Sequence, residues 1–138
     1  MGGPGTALEA RNATLVDCLG TTFHLDTRAK ILTAEEAREK LKNQPTRWVS
    51  GHFDPLLAEH ARRLLASATP GKLLVVEVTE PLQPLLSQRA RAELVAALAV
   101  VDYAVLSDRQ PSNDPGETVI TERFIQHVLS RHQKEIAG

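Results

Sequence analysis

The segment from Lys72 to Thr79, with the sequence KLLVVEVT, constrains the fold of this chain more than any other feature. It is a nearly continuous apolar run that follows a turn at Pro70-Gly71. A run of this kind is typical of a central strand in a parallel sheet, which helices cover on both faces. The segment therefore predicts an α/β domain.

Helical and strand-like segments alternate along the chain on either side of this run. Thr33 and Glu36 form a capping box that begins the first helix, which extends to about Asn43 and ends before Pro45. The remaining predicted elements are strands at residues 47–50 and 102–106, a short final strand at 119–120, and helices at about 56–68, 87–100 and 121–134. Strands separated by single helices run parallel. We therefore expect a three-layer Rossmann-like domain with a parallel sheet of about four or five strands.

The spacing of apolar residues also predicts which side of each helix is buried. The second helix has one apolar stripe, formed by Leu57, Ala61, Leu64, Leu65 and Ala68. In the third helix we expect Leu94, Val95 and Leu98 to face inward. Arg89, Arg91 and Glu93 are expected to reach solvent.

Composition excludes several classes of partner. The formal net charge is −1 and aromatic residues make up 4% of the 138 residues, which argues against a nucleic-acid-binding surface. No apolar run approaches the roughly 20 residues of a membrane span. The single cysteine, Cys18, suits a reducing compartment. We expect a cytoplasmic protein with neither a nucleic-acid nor a membrane partner.

The N-terminal part of the chain carries weaker signals. Residues 1–8 are expected to be a disordered lead, and residues 9–30 allow no firm prediction. Within them, residues 14–19 are compatible with a short strand and residues 21–25 alternate weakly. We therefore divide the chain into a partly disordered lead at residues 1–29 and one domain at residues 30–138.

The strand at residues 47–50 leads into GHFDPLLAEH at residues 51–60, a strand-to-helix turn at the carboxyl end of a strand. This stretch resembles the Gly-x-Phe-Asp-x-x-His-x-Gly-His signature of the cytidylyltransferase-like nucleotidylyltransferases. The positions that match in register are Gly51, Phe53, Asp54 and His60. Leu57 stands at the first signature histidine, and Glu59 stands at the signature glycine.

A second stretch extends the resemblance. Residues 30–33 with the helix that follows, and residues 88–105, are similar to the heptose-phosphate branch of that superfamily. The matching positions in the later stretch are Arg91, Ala97, Leu98, Val101 and Asp102. The resemblance covers roughly residues 30–106 and implies the HUP-type nucleotidylyltransferase form of the Rossmann-like fold.

The resemblance implies that a sugar phosphate attacks the α-phosphate of CTP or ATP and that pyrophosphate leaves. Such chemistry depends on positioning and charge neutralisation, with Mg²⁺ supplied by solution. The implied catalytic residues are Asp54 and His60. The residues implied to bind nucleotide or phosphate are Gly51, His52, Phe53 and Arg91. No metal-ligating residues of the protein itself are expected.

Four departures from the family pattern predict weakened or lost catalysis. Leu57 has no hydrogen-bond donor, and Glu59 places a carboxylate where the family leaves room for triphosphate. The loop at residues 79–84 lacks the family's lysine and Arg-Pro pair. The late phosphate-gripping element is absent, and the last helix begins instead at Thr121-Glu122-Arg123.

The residues also allow interpretations without catalysis. Asp54 suits a cap of the second helix, and His60 and His52 suit packing positions. Arg91 suits an ion pair with an acid on its own helix face, and Asp102 suits the start of a strand. The chain as a whole then corresponds to a nucleotide-binding or scaffold domain, acting as a homodimer or beside a sugar-kinase partner. Whether it is an enzyme stays open at this point.

Overall fold

A computed structural model describes the backbone of residues 14–16 and 22–24 and the chain from residue 26 to residue 137. Its strands are β1 (Thr14–Val16), β2 (Thr22–His24), β3 (Ile31–Thr33), β4 (Thr46–Gly51), β5 (Leu73–Val78) and β6 (Tyr103–Leu106). Its α-helices are α1 (Ala34–Lys40), α2 (Ala58–Ser67), α3 (Gln88–Ala96) and α4 (Pro115–Ala137). A 3₁₀ helix at Thr27–Lys30 precedes β3.

Four strands form a parallel sheet in the order β3-β6-β5-β4. The chain enters at β3, crosses through α1 to the far edge at β4, and then returns one strand at a time through β5 to β6. Because parallel crossovers are right-handed, opposite directions of travel place the connecting helices on opposite faces. α1 therefore covers one face, and α2 and α3 cover the other.

The apolar residues of β5 point alternately into the two cores, which confirms that this strand is covered on both sides. The core on the α2 and α3 side includes Leu74, Val76 and Val78 of the strand with Leu64, Ala92, Val95 and Ala96 of the helices. The core on the α1 side joins Val75 to Leu32, Ala37, Leu41 and Val105. The three layers of the predicted Rossmann-like α/β fold are thus present.

The predicted elements appear with shifted ends. The capping box of Thr33 and Glu36 begins α1 as predicted, although the helix ends at Lys40 instead of Asn43. The carboxylate of Asp102 accepts the Leu74 N–H at 2.7 Å, which agrees with a role at the start of a strand. The short strand β3 at the sheet edge was not predicted as a strand.

The predicted final strand at Val119–Ile120 is wrong, because both residues lie in α4. This helix begins at Pro115, where a missing N–H costs nothing. The Asp114 carboxylate accepts the Gly116 N–H at 2.9 Å, and the Asp114 carbonyl accepts the Thr118 N–H. Asp114-Pro115 is therefore the sequence signal that marks the true start of the last helix, six residues before the predicted one.

β1 and β2 pair antiparallel, with Leu15 opposite Phe23. They fall within the two stretches that the sequence left undecided. The lead at residues 1–8 and Cys18 lie outside the described residues. The division between residues 29 and 30 stays a prediction.

Three predicted side-chain directions are wrong. Leu65 and Leu94 are exposed, and Arg91 is fully buried. The buried stripe on α2 includes fewer residues than the predicted apolar stripe. Leu64 faces the sheet, and Leu65 is the next residue around the helix and therefore points away from the core. On α3 the small residues Ala92 and Ala96 face the core in place of Leu94.

Within the described residues no helix combines the length and the apolar character that crossing a bilayer requires.

Adjacent leucines of α2 test this packing directly. Leu64 is 1% exposed and Leu65 is 65% exposed. Leu64→Ala is expected to lower the free energy of unfolding by about 2–5 kcal/mol, since it leaves a cavity in the core. Leu65→Ala, the matched control, is expected to change it by less than about 0.5 kcal/mol. Urea denaturation measures both, and equal losses would contradict the described orientation of α2.

Candidate functional site

A cavity of about 470 Å³ lies at the carboxyl ends of the parallel strands, between the loops that follow β4 and β5 and the side of α4. This is the position at which ligands bind in open parallel sheets. The residues that line it are His52, Asp54, Pro81, Leu82, Gln83, Leu85, Asn113, Thr118, Thr121, Glu122 and Ile125. None of them is a lysine or an arginine.

The turn after β4 is held in a tight shape by Gly51 and Phe53. Phe53 has a φ of 52°, in the left-handed region that side chains seldom adopt, and its ring is buried in the core on the α2 side. A β-carbon at residue 51 would lie 2.8 Å from the Phe53 ring. Glycine is therefore required at residue 51 for close approach of the ring. The peptide bond between Asp54 and Pro55 is cis.

Asp54 binds the loop after β5. Its two carboxylate oxygens accept the backbone N–H groups of Leu85 and Leu86 at 2.7 and 2.9 Å. Its carbonyl oxygen accepts the hydroxyl of Thr121 on α4. The alternative that Asp54 caps α2 is wrong, since the capping position is Leu57. Asp54 instead connects three segments that surround the cavity.

His60 lies on α2 and is 3% exposed. Its Nδ1 accepts the Leu57 N–H at 3.0 Å, so Nδ1 carries no proton and the neutral ring carries it on Nε2. Nε2 lies 3.4 Å from a carboxylate oxygen of Glu117, which is longer than a good hydrogen bond. The ring also packs edge-on against Phe53, with 5.4 Å between ring centroids.

His52 is the second buried imidazole of the turn and is 5% exposed. Its Nδ1 lies 2.8 Å from the hydroxyl oxygen of Thr79. Its Nε2 has no hydrogen-bond partner within the described residues, and neither does Nε2 of His60 by the usual angular criteria.

Sequence reasoning missed Glu117, which α4 directs into this turn. One carboxylate oxygen lies against Gly51 and the other faces His60. Burial raises the pKa of the Glu117 carboxyl, but interaction with His60, with smaller contributions from His52 and the Phe53 N–H, outweighs burial and lowers that pKa below its ordinary value. The signal available in the sequence was the helix start at Asp114-Pro115, which turns residue 117 inward.

Arg91 is 0% exposed, and its donors are directed at the main chain. Its guanidinium donates to the carbonyl oxygens of Leu86, His52 and Thr79, and it forms an ion pair with Glu80. The predicted ion pair with an acid on its own helix is therefore wrong. Its implied phosphate-binding role stays a prediction, and the observed contacts favour a role in positioning the loops after β4 and β5.

The two residues at the altered signature positions lie at the start of α2. Leu57 immediately precedes the helix and its side chain offers no hydrogen bond. Glu59 forms an ion pair with Arg63 at 2.7 Å along the helix surface and does not line the cavity. The expectation that its carboxylate lies where a triphosphate would bind stays a prediction.

The carboxylate in the cavity wall is already occupied by protein contacts. Both oxygens of Asp54 accept backbone N–H groups. No group of three or more His, Cys, Asp or Glu side chains in the described part of the chain is placed to hold a metal ion. The expectation about Mg²⁺ stays a prediction.

Comparison with known proteins gives a distant and partial relationship. No protein-family model matches the chain. The Bifunctional protein HldE of Helicobacter pylori is 33% identical over 89 residues in each of two strains, 26695 and P12. The alignment covers 58% of this chain. The chain spans about a fifth of the length of these curated relatives. Together with the parallel sheet, this similarity supports a nucleotidylyltransferase-like relationship.

Substitution of Gly51 by alanine tests its close contact with the Phe53 ring, and the same substitution at Gly116 is the control. Gly51→Ala is expected to cost roughly 1–3 kcal/mol of stability, because the new methyl group collides with the Phe53 ring. A β-carbon at Gly116, in the first turn of α4, meets its nearest neighbour at an ordinary 3.4 Å. Gly116→Ala should therefore be neutral or slightly stabilising in thermal denaturation. A tolerated Gly51→Ala would contradict the described turn.

The lowered pKa of Glu117 predicts a pH dependence. A carboxyl whose pKa is depressed in the folded state stabilises that state above its ordinary pKa of 4.5, and this contribution is lost as the pH falls through the depressed value. The stability of the parent relative to Glu117→Gln should therefore decrease as the pH is lowered through 4.5 and on through the depressed pKa of Glu117. Urea denaturation across this range measures the difference, and a constant difference would contradict the assignment.

Proposed function

We propose that this chain is a nucleotidylyltransferase-like domain, related to enzymes that transfer a nucleotidyl group from CTP or ATP to a sugar phosphate, in which transfer is weakened or lost. The motif resemblance, the parallel sheet and the partial similarity to HldE support the relationship. The proposed ligand position is the cavity at the carboxyl ends of β4 and β5, where Asp54 and the His52 imidazole contribute to the wall.

The observation that carries the loss of transfer is the charge of this cavity. Its lining contains no lysine or arginine, and its acidic side chains are Asp54 and Glu122. Each charge-assisted hydrogen bond to a phosphate contributes about 1.5–3 kcal/mol. A donor that acts mainly in the transition state contributes roughly 10²–10³ in rate. A wall without such donors holds a triphosphate weakly and stabilises its transfer poorly.

The second candidate is a non-catalytic nucleotide-binding or scaffold domain, which pairs with a second copy or with a sugar-kinase partner. It is favoured by the contacts of Asp54 and Arg91, which bind main-chain groups of the protein itself. These contacts give the motif a structural role that persists without turnover. The two candidates differ in whether any pyrophosphate is released.

Turnover and binding assays separate the candidates. With CTP or ATP and a sugar phosphate, in the presence of Mg²⁺, we expect the parent protein to release pyrophosphate only slowly; a rate above that of a blank favours the first candidate, and a rate equal to it favours the second. The double variant Leu57→His, Glu59→Gly restores the signature and should bind nucleotide more tightly in calorimetry. The control, Leu65→His, adds the same imidazole on the exposed face of α2. Robust turnover by the parent would overturn the proposed loss.

A further inference from the structure

Two buried imidazoles, His52 in the turn after β4 and His60 at the start of α2, lie beside the same short segment, and the Glu117 carboxylate is 3.4 Å from His60 Nε2. Nε2 of His52 and Nε2 of His60 have no hydrogen-bond partner in the described part of the chain. A buried polar atom without a partner costs about 1–3 kcal/mol. Such atoms commonly mark a position that an additional polar group occupies.

Glu117 is the charged group that already faces this position. One of its oxygens lies 3.4 Å from His60 Nε2, and the other lies 3.3 Å from the point where a Gly51 β-carbon would stand. Its side chain is 13% exposed. Interactions with His52 and with the Phe53 N–H also help to lower the pKa of the Glu117 carboxyl. The carboxylate thus has the surroundings that an external oxyanion would need.

The placement of Glu117 is fixed by α4. The Asp114 carboxylate accepts the Gly116 N–H at the first turn, and the Thr121 hydroxyl donates to the Asp54 carbonyl one turn after Glu117. Ile120 is buried between these two contacts. The Glu117 carboxylate can move away from His60 only if its side chain rotates or if the first part of α4 shifts.

We propose that Glu117 is an internal anion that closes the oxyanion position formed by His52, His60 and the Gly51–Phe53 turn. This inference rests on the proposed function, because it concerns the same turn. It adds a regulatory role for the contact between Glu117 and that turn. While Glu117 is in place, an incoming phosphate meets a negative charge where it needs donors. Withdrawal of Glu117 exposes the two imidazole nitrogens and the Phe53 N–H.

The experiment measures the binding of inorganic pyrophosphate by calorimetry to the full chain. Glu117→Gln removes the charge at nearly constant shape, and Glu117→Ala removes the side chain. Both are expected to bind pyrophosphate at least about tenfold more tightly than the parent, which corresponds to about 1.4 kcal/mol. The matched control is Glu135→Gln, which removes an equal charge from an exposed position of the same helix, outside the cavity and away from the imidazoles.

The outcomes separate this inference from the proposed function. It is supported if the Glu117 variants gain binding, Glu135→Gln does not, and His60→Gln added to Glu117→Gln removes the gain. It is overturned if the Glu117 variants bind no better than the parent, if Glu135→Gln gains equally, or if the gain survives His60→Gln. Turnover of CTP or ATP by the parent would contradict the proposed loss of transfer and would leave the pyrophosphate comparison to decide the role of Glu117.

A measurement on the parent keeps the inference testable if the variants fold poorly. With ¹⁵N-labelled histidine, the ring nitrogens of His52 and His60 are expected to keep their chemical shifts when millimolar pyrophosphate is added. Shifts that saturate at low pyrophosphate concentration would show an open position and would overturn the inference.

Discussion

The cavity depends on one buried guanidinium. Strands β4 and β5 end side by side, and the loops that follow them carry carbonyl groups that the sheet no longer pairs. Arg91 donates to carbonyl oxygens in both loops and pairs its charge with Glu80. An unpaired charge at a fully buried position costs several kcal/mol. The guanidinium and the loops therefore require one another, and this contact fixes the two loops that form the cavity walls.

The sequence predicts most of the sheet because the decisive signals are local. The apolar run of β5 and the capping box of α1 depend on neighbouring residues, and both elements appear where their patterns indicate. The wrong predictions concern residues whose conformation or burial depends on contacts beyond their immediate neighbours. The burial of Arg91 depends on carbonyl groups 5 to 39 residues away along the chain. Val119 and Ile120 have a strand-like composition, but the cap at Asp114 decides their conformation.

The candidate site shows the same division. The motif predicts that Phe53, Asp54 and His60 gather at the carboxyl edge of the sheet, and the structure brings them together there. It also shows that Asp54 holds the loop after β5 and that His60 accepts the Leu57 N–H. The motif does not include Glu117, because its position follows from where α4 begins, at Asp114-Pro115, and not from the residues of the turn. A motif can therefore persist for the architecture it supports, and its presence alone does not establish catalysis.

The two N–H groups that Asp54 binds belong to Leu85 and Leu86, at the far end of the loop after β5. Most of the loop's contribution to the cavity comes before that anchor, from Pro81, Leu82 and Gln83. Leu85 is both anchored and part of the lining, whereas Pro81, Leu82 and Gln83 line the cavity without being held by Asp54. Substitutions at these three residues would change the shape and polarity of the cavity, and with them the molecule that fits, while the same carboxylate keeps the wall in place.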